Sequence, residues 1–261
     1  MDFINRLVAL KKYRNMLVQL VKRDFKVRYR GSILGVLWSV LNPLLYMLIL
    51  SLVFSRVFKQ IDNYQLYLLS GLVIYNFFSE ATNMCVMSIV ANFGLITKVY
   101  FPKFVLPLSR VITSLINLGF SFIAFFVLGS FLGITVWWGY IALPLMIVFL
   151  LLFTTGIGFI LATLQVFMRD IQHLYSVIIT LWMYATPILY DFQTTQMPET
   201  IVRILKFNPL YCFVDFMRCV TMQGRFPEMF SVVSIPLWGI LTFVIGSVIF
   251  VKNQKKFIFY T

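Results

Sequence analysis

The sequence predicts an all-α membrane protein: an N-terminal amphipathic interface helix, six transmembrane helices, and a re-entrant helical hairpin between the fifth and sixth. Three observations predict it. The 261 residues are 61% hydrophobic and only 12% charged, whereas a soluble domain carries about 25% charged and about 45–50% apolar residues. The apolar residues fall in runs long enough to cross the hydrocarbon layer, which takes about 20 residues of helix. The basic residues flank those runs and form no patch beside a reading helix. Topology therefore accounts for the net charge of +13, and nucleic acid is not an expected partner.

Residues 1–30 read as a cytoplasmic amphipathic interface helix. Over 3–30, Leu10, Tyr13, Leu17, Leu20 and Val21 recur at helical spacing, while Lys11, Lys12, Arg14, Gln19, Lys22, Arg23 and Lys26 fill most of the remainder. Such a helix lies in the membrane interface with its apolar stripe inward and its basic face in water. Packing of the same stripe against a partner is a compatible reading.

Residues 31–261 read as the membrane domain, with spans at about 33–54, 66–90, 107–131, 139–166, 175–190 and 231–251. The fifth is short and is expected to draw on Asp170–Leu174. Orientation follows from Lys and Arg near the span ends. Arg6, Lys11, Lys12, Arg14, Lys22, Arg23, Lys26, Arg28 and Arg30 precede the first span. With six spans, Lys98, Lys103, Arg110, Arg169, Lys252, Lys255 and Lys256 share their side. Only Arg56, Lys59, Arg203, Lys206, Arg218 and Arg225 lie opposite. Both termini are therefore expected in the cytoplasm, with Trp137, Trp138 and Tyr140 at the outer interface. No cleavable signal peptide is expected, because the first long apolar run starts near Ile33 and is too long for a signal core.

The segment 191–230 is too polar to span and too apolar for a plain loop. Asn208-Pro209, Gly224 and Pro227 interrupt it. That pattern fits short helices that dip into the membrane and return, or an amphipathic surface loop; the re-entrant hairpin is the expectation. Cys85, Cys212 and Cys219 form no CxxC pair and imply neither a disulfide framework nor a zinc site.

Catalytic chemistry has little support. The nine acids are scattered, His173 stands alone in a short loop, and no GxxxxGK[ST] phosphate loop occurs. No catalytic, metal or cofactor site is expected on this chain. Glu80 is the clearest acid within a span and requires a partner or a watery cavity. It is either a proton-coupling carboxylate or the partner of a basic group across a subunit interface. Tyr46, Tyr67, Tyr75, Phe78, Trp182, Tyr184 and Tyr190 could line a glycan path, since aromatic faces stack on sugar rings, or could simply pack.

The run from Arg23-Asp24-Phe25-Lys26-Val27-Arg28-Tyr29-Arg30-Gly31-Ser32 through Trp38 to Asn42-Pro43-Leu44 is more specific. It resembles the opening of ABC-2 type permeases that export polysaccharides, a family including O-antigen, capsule and teichoic-acid exporters. Lys98-Val99-Tyr100-Phe101-Pro102, Leu106-Pro107-Leu108-Ser109, Arg169-Asp170-Ile171, Thr186-Pro187-Ile188-Leu189-Tyr190, Pro198 and Asn208-Pro209-Leu210 follow in the family's order. The resemblance covers nearly the whole chain.

It implies a multi-pass subunit of the bacterial cytoplasmic membrane that pairs with a second copy of itself and two cytoplasmic ABC ATPase subunits. ATP and Mg would be held by those partners. The implied cargo is a polysaccharide linked to a lipid such as undecaprenyl pyrophosphate. Lys98, Tyr100, Phe101, Pro102, Arg169 and Asp170 would couple to the ATPase. Arg28 and Arg30 are candidates, by charge and position, for meeting the lipid pyrophosphate. Competing readings are an ABC-2 permease for another cargo, such as a drug or lipid, and a secondary transporter or membrane enzyme.

Overall fold

The computed structural model describes residues 13–134, 137–192 and 198–260. Among them the chain is helical throughout, without strands. Eleven α-helices occur in the described residues: α1 (Arg14–Arg28), α2 (Trp38–Phe54), α3 (Tyr64–Val86), α4 (Phe93–Lys98), α5 (Val105–Phe131), α6 (Ala142–Phe167), α7 (Ile171–Ala185), α8 (Glu199–Lys206), α9 (Pro209–Thr221), α10 (Met229–Asn253) and α11 (Phe257–Tyr260).

Among the described residues, four segments are long and apolar enough to cross a membrane: Gly35–Phe54, Val105–Phe131, Trp138–Phe167 and Met229–Asn253. They match the first, third, fourth and sixth expected spans. The second and fifth differ for separate reasons. At 23 residues, α3 rises about 34 Å, but Asn76, Ser79, Glu80 and Asn83 dilute its apolarity. The 15 residues of α7 rise only about 22 Å. It starts at Ile171, as the borrowing from Asp170–Leu174 anticipates. It stops at Ala185, because Pro187 disfavours helix at the residue before it.

Most of α1 lies where the amphipathic pattern places it; the expected start at residues 3–12 lies outside the described residues. Tyr13, Leu17 and Leu20 pack into an apolar cluster with Ile96, Phe101, Val105, Phe159, Phe250 and Phe257. The stripe thus covers one end of the protein's own bundle. Asp24, only 7% exposed, fixes the helix there: its carboxylate meets Arg110 on α5 at 2.8 Å and Arg23 at 3.0 Å. Gly31 (φ +77°) and Gly35 (φ +50°) then turn the chain from α1 into α2, in a backbone region that glycine enters without strain.

The same end gathers the 87–104 segment, the α6–α7 turn and the C-terminal residues. Lys103 Nζ donates to the Gln254 carbonyl at 2.7 Å, and Phe167 meets the rings of Phe257 and Tyr260. The segments grouped on one side by their basic residues therefore share one end of the bundle.

At the opposite end, α9 is buried among α3, α6 and α10. Asn208 caps it, accepting from Leu210 N at 3.1 Å with Pro209 in the first turn. Cys212 and Cys219 both lie on this helix, and all three cysteines are buried and free. Arg218, 6% exposed, projects from α9. It donates to the carbonyls of Pro187 (2.7 Å), Ile188 (3.2 Å) and Tyr67 (3.3 Å) and to Ser70 Oγ (3.3 Å). Its guanidinium lies 3.5 Å from the centre of the Tyr67 ring. Carbonyls freed where α7 breaks are thus satisfied by a buried cation, and the cation is satisfied by them. Trp137 Nε1 donates to Val220 O at 2.6 Å and Tyr140 to Thr221 O at 3.2 Å, tying the start of α6 to the end of α9.

The largest helix–helix contact joins α6 and α10, and glycine makes it possible. A Cβ on Gly246 would lie 2.1 Å from Gly156 O, and one on Gly156 would lie 2.3 Å from Thr242 O. Small residues permit this backbone approach, which replaces the hydrophobic drive that lipid cannot supply. Gly246→Val is therefore expected to destabilise the fold by at least about 1–3 kcal/mol, read as a lowered unfolding temperature in detergent. Gly94→Ala, where nothing stands within 4 Å, should leave it unchanged or slightly raised. Equal stability of both variants would contradict the close-packed seam.

Candidate functional site

A subset of the polar residues within α2, α3 and α5 falls on one face of each. They are Ser39, Asn42 and Tyr46 on α2, Asn76, Ser79 and Glu80 on α3, and Ser114, Asn117 and Ser121 on α5. These spacings of three, four and seven residues put each set on a single stripe. The three stripes converge: all but Ser114 line one cavity of about 800 Å³, closed at one end by Arg28, Tyr29, Ser32 and Trp38.

Glu80 organises its wall. Its Oε1 accepts from Arg28 Nη1 at 2.7 Å, Asn117 Nδ2 at 2.8 Å and Ser114 Oγ at 2.9 Å. Arg28 Nη2 also reaches Met84 Sδ at 3.4 Å. Tyr29 and Ser39 share a hydrogen bond, and whichever hydroxyl accepts in it donates its own proton to Asn117 Oδ1, which lies 3.2 Å from Tyr29 and 3.4 Å from Ser39. One chain of contacts thus runs from α1 through α3 and α5 to α2. The Arg28 and Glu80 side chains are 28% and 30% exposed, so the pair opens onto the cavity. Amides, hydroxyls and a neutralised ion pair around water can hydrogen-bond a hydrated polar solute, and three of the four walls are helices that present hydrocarbon elsewhere.

Arg28 and Arg30 do not converge. Arg30 lines a separate groove of about 490 Å³ with Lys22 and Lys26, over an apolar floor that includes Val21, Phe25, Val36 and Ile116. Lys22, Lys26 and Arg30 stand four residues apart on one face of the chain leaving α1, whereas Arg28 turns inward to Glu80.

The aromatic candidates divide by surroundings. Tyr46 is exposed and lines the cavity; Tyr184 is exposed on α7. Tyr67 is buried against Arg218, with its hydroxyl donating to Tyr190 O at 2.7 Å. Tyr75 is buried and donates to Ile179 O at 2.6 Å. Phe78 packs between Phe153 and Trp182, and Trp182 Nε1 donates to Asn208 Oδ1 at 2.8 Å. Tyr190 is half-buried and donates to Tyr184 O at 3.0 Å. Among the coupling candidates, Tyr100 is 96% exposed and Phe101 is buried. Lys98, Arg169 and Asp170 are exposed and Pro102 is half-buried. All six lie at the α1 end.

Sequence reading singled out Glu80 and Arg28 separately and did not connect them. It also passed over Ser39, Asn76, Asn117 and Ser121 as cavity residues, and Arg218 as more than an outer-side charge. The legible signal was the recurrence of Asn and Ser at helical spacing within apolar spans.

The matching family model is described as ABC-2 type transporter and covers residues 16–222. The chain is 34% identical over 249 residues to the O-antigen export system permease protein RfbA of Myxococcus xanthus, covering 95% of this chain and 96% of that protein. A Klebsiella pneumoniae protein of the same name is also 34% identical, with 93% of each chain covered. The polysialic acid transport protein KpsM of Escherichia coli is 24% identical, over 89% of this chain and 91% of its own.

A double-mutant cycle across Arg28→Ala and Glu80→Ala is expected to give a coupling of about 0.2–1 kcal/mol, the range for an exposed ion pair, read from unfolding in detergent. Glu80→Ala should cost more than Arg28→Ala, because Ser114 and Asn117 lose their acceptor as well. Additive effects would contradict the network.

Proposed function

This chain belongs to the ABC-2 type transporter family, and on that premise we propose that it is the membrane subunit of a polysaccharide exporter. The observation that carries the reading is the polar cavity formed by α2, α3 and α5, in a bundle whose helices are otherwise apolar. Its Asn, Ser and Tyr groups match the donors and acceptors of sugar hydroxyls, and the relatives' names give O-antigen and polysialic acid as cargo.

In this reading the membrane is crossed six times, by α2, α3, α5, α6, α7 with the turn that follows it to Tyr190, and α10. Both termini are cytoplasmic, in the bacterial inner membrane, and α8–α9 forms a re-entrant pair on the outer side. With 13 residues, α9 rises only about 20 Å, short of a hydrocarbon core of about 30 Å, which suits a helix that enters and returns. Two copies face each other across their polar cavities, and each carries an ATPase subunit on the end bearing Lys98–Pro102 and Arg169–Asp170. ATP hydrolysis on those partners supplies the energy.

The cargo is a glycan on a phosphate-bearing lipid, such as an O-antigen or teichoic acid on undecaprenyl pyrophosphate. A charge in hydrocarbon loses its hydration, so the phosphate stays at the interface. There Lys22, Lys26 and Arg30 meet it while the apolar floor of their groove takes the start of the lipid tail. Arg28, neutralised by Glu80, lines the glycan's way into the cavity. Tyr46 and Tyr184, the candidates with exposed rings, are the sugar-stacking residues; Tyr67, Tyr75 and Phe78 hold the bundle around them.

The test is export of the cell's lipid-linked glycan by a Lys22→Ala/Lys26→Ala/Arg30→Ala variant. Each basic group near an anionic phosphate is worth on the order of 1 kcal/mol, so export is expected to fall at least about tenfold while an ATPase subunit still copurifies. Normal export would remove the groove from the mechanism. Absence of any ATPase subunit from gently solubilised, crosslinked parent protein would overturn the transporter reading itself.

A further inference from the structure

A second cavity lies away from the polar one, between α5, α6 and α10. Phe104, Leu108 and Leu115 line one side, Thr155 and Phe159 another, and Phe250 a third. Thr155 turns its hydroxyl to Leu151 O at 2.7 Å, and the lining presents almost no polar surface. Water has nothing to bond there, so the natural occupant is hydrocarbon.

Its shape narrows the choice. From Phe104 to Leu115 the wall rises roughly 16 Å, and the cavity of about 320 Å³ forms an apolar groove along which a single unbranched hydrocarbon chain can lie.

The mouth is set by charge. Phe104 and Val251, at one end of the lining, are flanked by Lys103 and Lys252. Segments 91–104 and 251–260 contain Lys98, Lys103, Lys252, Lys255 and Lys256 and no acidic side chain. Lys252, Lys255 and Lys256 are exposed, and Lys103 joins the two segments through Gln254 O. Burial lowers the Lys103 pKa below the ordinary lysine value, a desolvation that a neighbouring anion offsets.

We propose that this cavity is a binding site for one acyl chain of an anionic phospholipid, whose headgroup is held by Lys252, Lys255 and Lys256. The lipid fills the groove beside the α6–α10 seam, where α5, α6 and α10 form its walls. The site is independent of the glycan path.

The test uses full-length protein, delipidated in detergent and titrated with phosphatidylglycerol or phosphatidylethanolamine, with bound lipid counted by native mass spectrometry. The parent is expected to retain phosphatidylglycerol preferentially. Lys252→Gln/Lys255→Gln/Lys256→Gln, confined to exposed side chains, should lower phosphatidylglycerol occupancy by roughly fivefold for each lysine removed and leave phosphatidylethanolamine unchanged. Ile112→Trp, which fills the cavity, should lower both; if that variant unfolds, the lysine variant alone decides. Equal binding of the two lipids by the parent, or an undiminished preference in the lysine variant, overturns the proposal. So does a polyprenyl-phosphate adduct in place of phospholipid on protein taken directly from native membranes.

Discussion

A polar group placed inside an apolar bundle has to find a protein partner or reach water, and the charged residues of this protein divide along that line. Asp24 and Arg218 take the first solution. Asp24 is enclosed between Arg110 and Arg23 and holds α1 to α5. Arg218 is enclosed by the carbonyls of Tyr67, Pro187 and Ile188 and by the Tyr67 ring. Glu80 and Arg28 take a mixed solution, paired with each other while facing a wet cavity. The two enclosed charges sit toward opposite ends of the bundle and fasten it; the half-exposed pair sits where something polar can pass.

Those fastenings depend on breaks in regular structure. Because α7 stops before Pro187, free carbonyls exist for Arg218 to bind, and because Asn208 and Pro209 start a new helix, Arg218 is presented to them. The glycine-lined seam of α6 and α10 supplies a different kind of rigidity, through backbone contact. It leaves α2 and α7, the least covered of the long segments, free to meet another surface. The protein thus has one tightly packed side and one open side, where α2 borders the polar cavity.

The helical class and the four apolar spans were legible because an uninterrupted hydrophobic run of about 20 residues matches the thickness of a bilayer and suits little else. So was the amphipathic stripe of α1, since Tyr13, Leu17 and Leu20 carry the period. The helix α3 was legible by length, although its polarity separates it from the four apolar segments. The candidate site was less legible. Glu80 stood out as an acid within a span, but its partner lies 52 residues away in sequence, and nothing local announces such a pairing. Arg28 and Arg30 looked alike; two residues along a helix end rotate them to different faces. The Asn and Ser stripes carried a signal in their spacing, yet single polar residues in membrane helices also serve packing, as Thr82 and Thr163 do here. Only the convergence of three stripes distinguishes a cavity.

The central claim is that the cavity wall formed by α2, α3 and α5 is wetted in the membrane and carries a polar cargo. Single cysteines at Ser39, Asn42, Ser79 and Ser121, in protein whose three native cysteines are replaced, should be labelled in intact membranes by a small water-soluble thiol reagent. Cysteines at Val148 and Val244, on exposed apolar faces of α6 and α10, should not react. Accumulating lipid-linked glycan should slow labelling at the four cavity positions. Labelling confined to the helix ends, with Asn42 and Ser121 as inert as Val148, would contradict the claim.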